Sequence, residues 1–234
     1  MALTGQSAIT IWQDARPEAR ADFYEWHNRE HIAERVGIAG FLRARRFAAI
    51  SSNAGSPEFF TLYETANPQV HTSAGYLERL NNPTPQTRRV APRMINNIRS
   101  LCRVAHTAGD SDGGLLVTLR YDVSPEAELN HLHWLTKQIL PALLKMPGIA
   151  ATHLCVADKA ASTVQTEEKK SRPVQALVPA WVILVEGAAD RSTLSVACDD
   201  ALCDAILAAA GARDIFRGLY QLQCCYAGQS VATG

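Results

Sequence analysis

Two histidines four residues apart, His27 and His31, carry the clearest acid–base chemistry in this sequence. On a helix this spacing places both imidazoles on one face, in line with Phe23. A neutral imidazole titrates near physiological pH, so it can move a proton to or from an enolisable carbonyl compound or a phenol. We therefore predict that His31, with His27 beside it, provides hydrogen-bonding or acid–base groups.

A basic cluster follows the histidines along the chain. Arg43 and Arg45 share one face of a predicted strand, and Arg46 lies on the other face. Inward-pointing guanidinium groups could hold a carboxylate or an enolate oxygen. The alternative is a structural His31 that joins its helix to the sheet edge by donating to a backbone carbonyl or a carboxylate. The predicted site comprises His31, His27, Arg43, Arg45 and Tyr63.

The segment His27–His31 also matches the H-x-x-E-H pattern of zinc proteases, with Glu30 nearby as the base. Two imidazoles at this spacing can reach one Zn²⁺ ion, but no convincing third ligand follows in the sequence. We therefore predict no cofactor, and a haem or metal protein using these histidines remains an unsupported alternative. Gly37 and Gly40 end a helix instead of opening one, so they give no support for nucleotide binding.

The elements that must position these residues occur twice. Trp26 and Trp134 lie 108 positions apart, and the same offset superposes the residue pairs Thr10 and Thr118, Asp14 and Asp122, Pro17 and Pro125, and Gly40 and Gly148. After an insertion the offset becomes 122, which places Glu64 on Glu186. The chain therefore reads as a tandem duplication in which Ile139 replaces His31 in the second copy.

Each half has the element order β-α-β-β-α-β, which is the ferredoxin-like unit. We predict an α+β protein with one unit in residues 1–107, another in residues 113–228, and a Gly/Asp/Ser-rich linker in the segment HTAGDSDGG. The apolar faces of the two sheets would pack together as a pseudo-symmetric α/β barrel with a cavity between the sheets. The polar stretch 158–172 is predicted to be a mobile hairpin loop.

The segment FYEWHNREHIAERVGIAGFLRARRF resembles the helix-and-strand signature of the dimeric α/β-barrel superfamily, especially its EthD-like branch. Trp26, His31 and the turn Ala39-Gly40-Phe41 match that signature, and the second half retains Trp134 and Pro147-Gly148-Ile149. The resemblance implies a cofactor-free monooxygenase, isomerase or cyclase acting on aromatic or carbonyl compounds, or a haem-binding enzyme. The alternative is a non-catalytic binding or assembly protein whose barrel is filled by side chains.

The composition indicates which classes of binding partner the sequence favours. The chain of 234 residues has 23 Lys+Arg and 23 Asp+Glu, so nothing in its net charge favours nucleic acid or an anionic membrane. No apolar run approaches the ~20 residues of a membrane-spanning helix. The six cysteines show no paired spacing, so we predict free thiols and a cytoplasmic protein. A small-molecule ligand and a homodimer are the partners that we expect.

Overall fold

Eight strands form a closed barrel in the computed structural model, which describes residues 2–50, 56–172, 174 and 176–228. Every pair of neighbouring strands within this described part of the chain is antiparallel. The strands are β1 (Ser7–Ala15), β2 (Phe41–Ala49), β3 (Phe59–Thr65), β4 (Met94–Gly109), β5 (Leu115–Val123), β6 (Ile149–Ala157), β7 (Trp181–Gly187) and β8 (Ala212–Ala227).

The strand order around the barrel is β1-β3-β2-β8-β5-β7-β6-β4. Each half of the chain supplies four consecutive strands, β4-β1-β3-β2 and β8-β5-β7-β6, which is the ferredoxin-like order in both cases. The pairs β2–β8 and β4–β6 join the two sheets. The predicted fold class, two tandem ferredoxin-like units in one pseudo-symmetric barrel, is confirmed, while the limits 1–107 and 113–228 stay a prediction.

The long helix of each repeat contains a π-helical turn at the same place. Helix α1 runs through Arg20–Trp26, the π turn His27–His31 and Ile32–Val36. The other helices are α2 (Ala74–Asn81), α3 (Pro85–Val90), α4 (Glu128–Trp134, a π turn Leu135–Ile139, and Leu140–Leu143), α5 (Lys159–Thr163), α6 (Glu167–Lys170), α7 (Arg191–Leu202) and α8 (Asp204–Ala209). The two π turns are 108 positions apart, so the duplication carried this irregularity with the scaffold.

A glycine turns the chain from each long helix into the next strand. Gly40 has φ +90° and Gly148 has φ +81°. This region of backbone space is costly for residues that carry a Cβ atom. A Cβ on Gly40 would also lie 2.5 Å from Cγ2 of Val70. The turn therefore requires glycine for conformation and for space.

The middle of the barrel is packed with side chains from both sheets. Inward-facing residues such as Trp12, Phe60 and Tyr220 form an apolar cluster with residues of both repeats. Near one end of the barrel this cluster meets a buried group of charged side chains that includes Glu64 and Glu186. Large residues at alternate strand positions fill this part of the barrel, while a cavity of about 840 Å³ lies at the opposite end, lined by strand-end residues of both repeats.

Residues 158–172 are not the predicted mobile hairpin loop but two capped helices, α5 and α6, packed on the first repeat. Asp158 accepts a hydrogen bond from Ala161 N at 2.9 Å, and Thr166 caps the next helix. Ser162 Oγ accepts from Leu101 N at 2.9 Å. These caps satisfy the free N–H groups at the start of each helix, which explains why a polar stretch is ordered there.

Candidate functional site

A cavity of about 150 Å³ lies between helix α1 and the outer face of the first-repeat sheet. Helix α2 forms one side, and the second repeat closes it with residues of the segment 158–172 and with Val174, Ala176 and Val178. Its flat apolar lining comes from Trp26, Phe41, Tyr63 and Tyr76. The site therefore combines elements of both repeats, although the second repeat has no histidine at the position of His31.

The π turn of α1 places both histidines in this lining. Its widened spacing is set by the hydrogen bond from Ile32 N to the carbonyl of His27. The rings of His27 and His31 are nearly parallel, with centroids 5.6 Å apart and planes at 19°. The His31 ring also packs on Trp26, with centroids 4.3 Å apart. Both imidazoles are buried, so their protonation depends on the groups around them.

His27 is held in one tautomer by Arg46. Arg46 Nη1 lies 3.1 Å from Nδ1 of His27. A guanidinium group only donates, so Nδ1 accepts and the proton of the neutral ring lies on Nε2. Burial, then the nearby His31 and Arg46, lower the pKa of His27 well below 6.5. His27 is therefore neutral at physiological pH and anchored to β2.

His31 differs because its Nδ1 atom has no hydrogen-bond partner among the residues that the structure describes. Two hydroxyl oxygens of the cavity lining share this property, Thr61 Oγ1 and Tyr63 Oη. Burial, followed by the charges of Arg35 and Arg172, lowers the pKa of His31 well below 6.5. Burial likewise raises the pKa of Tyr63. Buried polar atoms without partners are uncommon and destabilising, and three beside one cavity point to a bound molecule.

Basic side chains dominate the charge around the cavity. Arg35 is paired with Glu168 of the second repeat, and Arg99 donates to Tyr76 Oη at 2.7 Å. Burial lowers the pKa of Lys169 to about 8, with a further contribution from Arg99. Arg172 lies 3.7 Å from Glu168. The described lining thus has five Lys or Arg side chains and one carboxylate, and the fifth cation, Lys170, is exposed and paired with Glu167 outside the lining.

Arg43 and Arg45 are not brought together with the histidines. Both face the barrel interior, where Arg43 Nε lies 2.7 Å from Glu64 Oε1 and Arg45 Nη1 lies 2.9 Å from Glu186 Oε1. Arg46, one residue on, is the strand β2 arginine that reaches the histidine side. The predicted alternation along this strand is correct, but α1 packs on the face opposite to the one that carries the predicted pair.

Tyr63 lines the cavity beside His31, and the lining also contains residues that the sequence did not predict. The place of Arg35 in the lining could have been predicted from the sequence, because Arg35 follows His31 by one helical turn. No sequence pattern points to the other charged residues of the lining, Glu168, Lys169 and Arg172, because they belong to the other repeat and to a segment predicted to be a loop.

No known family profile matches the sequence, and no curated protein matches it. Solved structures do. An "anthrone oxidase-like protein" has 13% identity and a TM-score of 0.66, and the match covers 100% of this chain and 99% of that chain. A "putative monooxygenase" from Fusobacterium nucleatum has 9% identity and a TM-score of 0.59 over 96% of this chain and 95% of that one. Another "putative monooxygenase", from Lactobacillus acidophilus, has 6% identity and a TM-score of 0.58 over 95% and 96%.

The chain has the dimeric α/β-barrel fold. At these identities the similarity establishes the fold alone, and the EthD-like branch stays a prediction. The internal duplication supplies both halves of this fold from one chain. Pairing with a second copy therefore stays a prediction as well.

The dimeric α/β-barrel fold raises the question of haem, and the residues present do not fit one. A haem is several times larger than a cavity of about 150 Å³. Trp26 packs on the His31 ring, and Arg46 occupies Nδ1 of His27. The cavity beside His31 therefore lacks the space for a macrocycle.

A metal ion is not supported by the donor set either. Within the described residues, no three His, Cys, Asp or Glu side chains are grouped to hold one. Glu30 accepts hydrogen bonds from Thr84 and Thr87 at the start of α3. Its carboxylate is therefore not directed to a common site with the imidazoles of His27 and His31. We derive no metal-dependent step.

Two other predictions concern the cellular location of the protein and the state of its cysteines. In the part of the chain that the structure covers, no helix combines the length and the apolar character needed to cross a bilayer. The six cysteines carry free thiols. The cytoplasmic location, like the absence of a nucleic-acid partner, stays a prediction.

Proposed function

We propose that this protein is a small-molecule enzyme that performs cofactor-free acid–base chemistry in the cavity beside His31. The observation that carries the proposal is that His31 Nδ1, Thr61 Oγ1 and Tyr63 Oη are buried in this lining without hydrogen-bond partners. A carbonyl or phenol oxygen bound among them would satisfy the two hydroxyl donors. The free imidazole nitrogen would then face the proton to be moved.

The chemical step is a proton transfer. A ligand C–H bond next to a carbonyl, or a phenol O–H bond, breaks, and an N–H bond forms on Nδ1 of His31. The electron pair moves to the ligand oxygen, giving an enolate or phenolate. Burial, followed by the charges of Arg35 and Arg172, lowers the pKa of His31, and the same two positive charges stabilise the new anion. The arginine charges thus lower the pKa of the ligand acid as well as that of the imidazole.

The similar proteins support a reaction of this class. Those with TM-scores above 0.5 include an "anthrone oxidase-like protein" and two proteins described as "putative monooxygenase". An enolate or phenolate is an intermediate common to oxygenation, isomerisation and cyclisation. The proposal therefore covers a monooxygenase, an isomerase or a cyclase, with proton removal as the shared first step.

The test is hydrogen exchange of a small aryl ketone in D₂O. Acetophenone is incubated with the protein, and NMR follows loss of the methyl protons. We expect the wild-type protein to accelerate exchange, and His31→Gln to slow the protein-dependent rate by about a hundredfold, the lower range for a general base. His133→Gln is the matched control, because His133 lies exposed on the equivalent helix α4. Exchange no faster than in buffer, or equal rates in wild type and H31Q, contradicts the proposal.

A second candidate is a binding protein without turnover. Burial and two arginines lower the pKa of His31, and a weakly basic imidazole is suited to donating or accepting a hydrogen bond in a stable complex. The filled barrel interior agrees with this alternative. Acetophenone binding to the wild-type protein without accelerated exchange, and weaker binding by H31Q, would favour it.

A further inference from the structure

The cavity beside His31 has a definite size. An enclosed cavity of about 150 Å³ holds roughly one benzene ring, and this cavity has that volume. Trp26, Phe41 and Tyr76 provide flat aromatic surfaces in its wall. Such surfaces favour stacking or edge contacts with another ring. This volume matches a planar ligand with one ring and is smaller than a fused three-ring compound requires.

The cavity also has a definite charge. Glu168 neutralises Arg35, with which it forms a buried ion pair. Lys170 is exposed and paired with Glu167. Arg99, Lys169 and Arg172 remain, and Arg172 is 3.7 Å from the carboxylate of Glu168. Lysine and arginine side chains near a buried cavity favour an anion there, because desolvation weakens competition from water. The lining therefore has an excess of positive charge that the described lining residues do not balance.

The size and the charge of the cavity both depend on the second repeat. The segment 158–172 belongs to the insertion that changes the repeat offset from 108 to 122, and it covers the cavity of the other repeat. Lys169 Nζ donates to the carbonyls of Ser162 and Val164, at 2.7 and 2.6 Å, which fixes its position. Arg172 Nη1 donates to Gln13 Oε1 of β1 at 3.3 Å.

We infer that the ligand is a single-ring aromatic anion, such as a phenolate, an aryl enolate or a benzoate, and that the segment 158–172 selects it by size and charge. This inference rests on the proposed function for the location of the site. It adds the substrate class and two specificity-determining residues, Lys169 and Arg172. Neither residue is predicted by the family resemblance of helix α1, because both lie in the other repeat.

The experiment uses the full chain and three probes. 4-Nitrophenol reports its own ionisation by absorbance, nitrobenzene is its uncharged analogue, and anthracene-2-carboxylate is a three-ring anion. We expect binding to lower the pKa of 4-nitrophenol by about one unit or more, equivalent to at least tenfold preference for the anion. Nitrobenzene and anthracene-2-carboxylate should each bind at least tenfold more weakly than 4-nitrophenolate.

Variants assign the effect to residues. Lys169→Gln and Arg172→Gln should each weaken 4-nitrophenolate binding by about three- to tenfold and leave nitrobenzene binding unchanged. Lys159→Gln is the control, because Lys159 is exposed on α5 and does not line the cavity. Circular dichroism and thermal unfolding establish that each variant is folded, and two separate charge variants keep the test valid if one is unstable.

The outcomes separate this inference from the proposed function. Equal affinity for nitrobenzene and 4-nitrophenolate, tight binding of anthracene-2-carboxylate, or no binding of 4-nitrophenol overturns the inference. If any of these results is found but acetophenone exchange still depends on His31, the proposed function stands and only the inference about the ligand fails. If the single-ring anion binds with the expected selectivity but H31Q exchanges acetophenone at the wild-type rate, the proposed function alone fails.

Discussion

Glu186 provides the most quantitative prediction, because it is a fully buried carboxylate at the junction of the two repeats. Arg45 Nη1 lies 2.9 Å from one of its oxygens, and His153 Nε2 donates to it at 3.0 Å. The Gly113 N–H donates to the other oxygen at 2.8 Å. Glu64 occupies the equivalent position of the first repeat and also lies 3.3 Å from Arg45. One guanidinium therefore connects the two related carboxylates.

The contribution of Glu186 to the free energy of unfolding follows from its lowered pKa. Burial opposes the charged form, but the hydrogen bond from His153 and the charge of Arg45 outweigh it and lower the pKa of Glu186 from 4.5 to about 2. At roughly 1.4 kcal/mol per pKa unit, the ionised carboxylate contributes about 3 kcal/mol to the free energy of unfolding at neutral pH. Because the folded pKa is the lower one, this contribution is complete above about pH 5 and lost as the pH falls towards 2. About 2 kcal/mol is lost by pH 3.

The assay is urea unfolding of the wild-type protein and Glu186→Gln between pH 7 and pH 3. The variant lacks the titrating group, so the difference in unfolding free energy between the two proteins should shrink by about 2 kcal/mol over this range. Glu128→Gln, the same change at an exposed position of α4, should follow the wild-type curve. A wild-type-to-E186Q difference that stays constant with pH would refute the assignment of this stability to the ionised carboxylate.

Two further predictions concern the scaffold and the segment over the cavity. Gly40→Ala forces a Cβ atom onto φ +90° and to 2.5 Å from Val70, so the free energy of unfolding should fall by about 2 kcal/mol in urea titrations; an unchanged midpoint contradicts this. Glu168→Gln leaves Arg35 without its buried charged partner, so trypsin should cleave within residues 158–172 about tenfold faster. Cleavage at the wild-type rate would show that the ion pair does not hold this segment.

The regular elements of the first repeat could be predicted because their signals are local. Alternating residues along β1 and β2 and the helical spacing of His27 and His31 report backbone periods directly. The duplication offset then identified the second repeat without any tertiary information. Residues 158–172 were misinterpreted, since a polar, charged stretch is typical of a loop until its contacts with another element are known.

The candidate site shows the limit of the same reasoning. Strand alternation correctly separated Arg45 from Arg46, but it does not say which face receives helix α1. Arg45 therefore lies in the barrel with Glu186, and Arg46 reaches His27. Tyr63 was placed correctly beside His31, since β3 presents it on the helix side of the sheet.

The sequence by itself determined the two ferredoxin-like units, their common scaffold residues and the confinement of the paired histidines to one of them. These features follow from short-range periodicity and from comparison of the chain with itself. Only the tertiary structure decided where the cavity lies, which charges surround it and that the second repeat closes it. Those properties arise from contacts between residues far apart in the chain, such as Arg35 and Glu168, and local backbone preferences carry no information about such pairs.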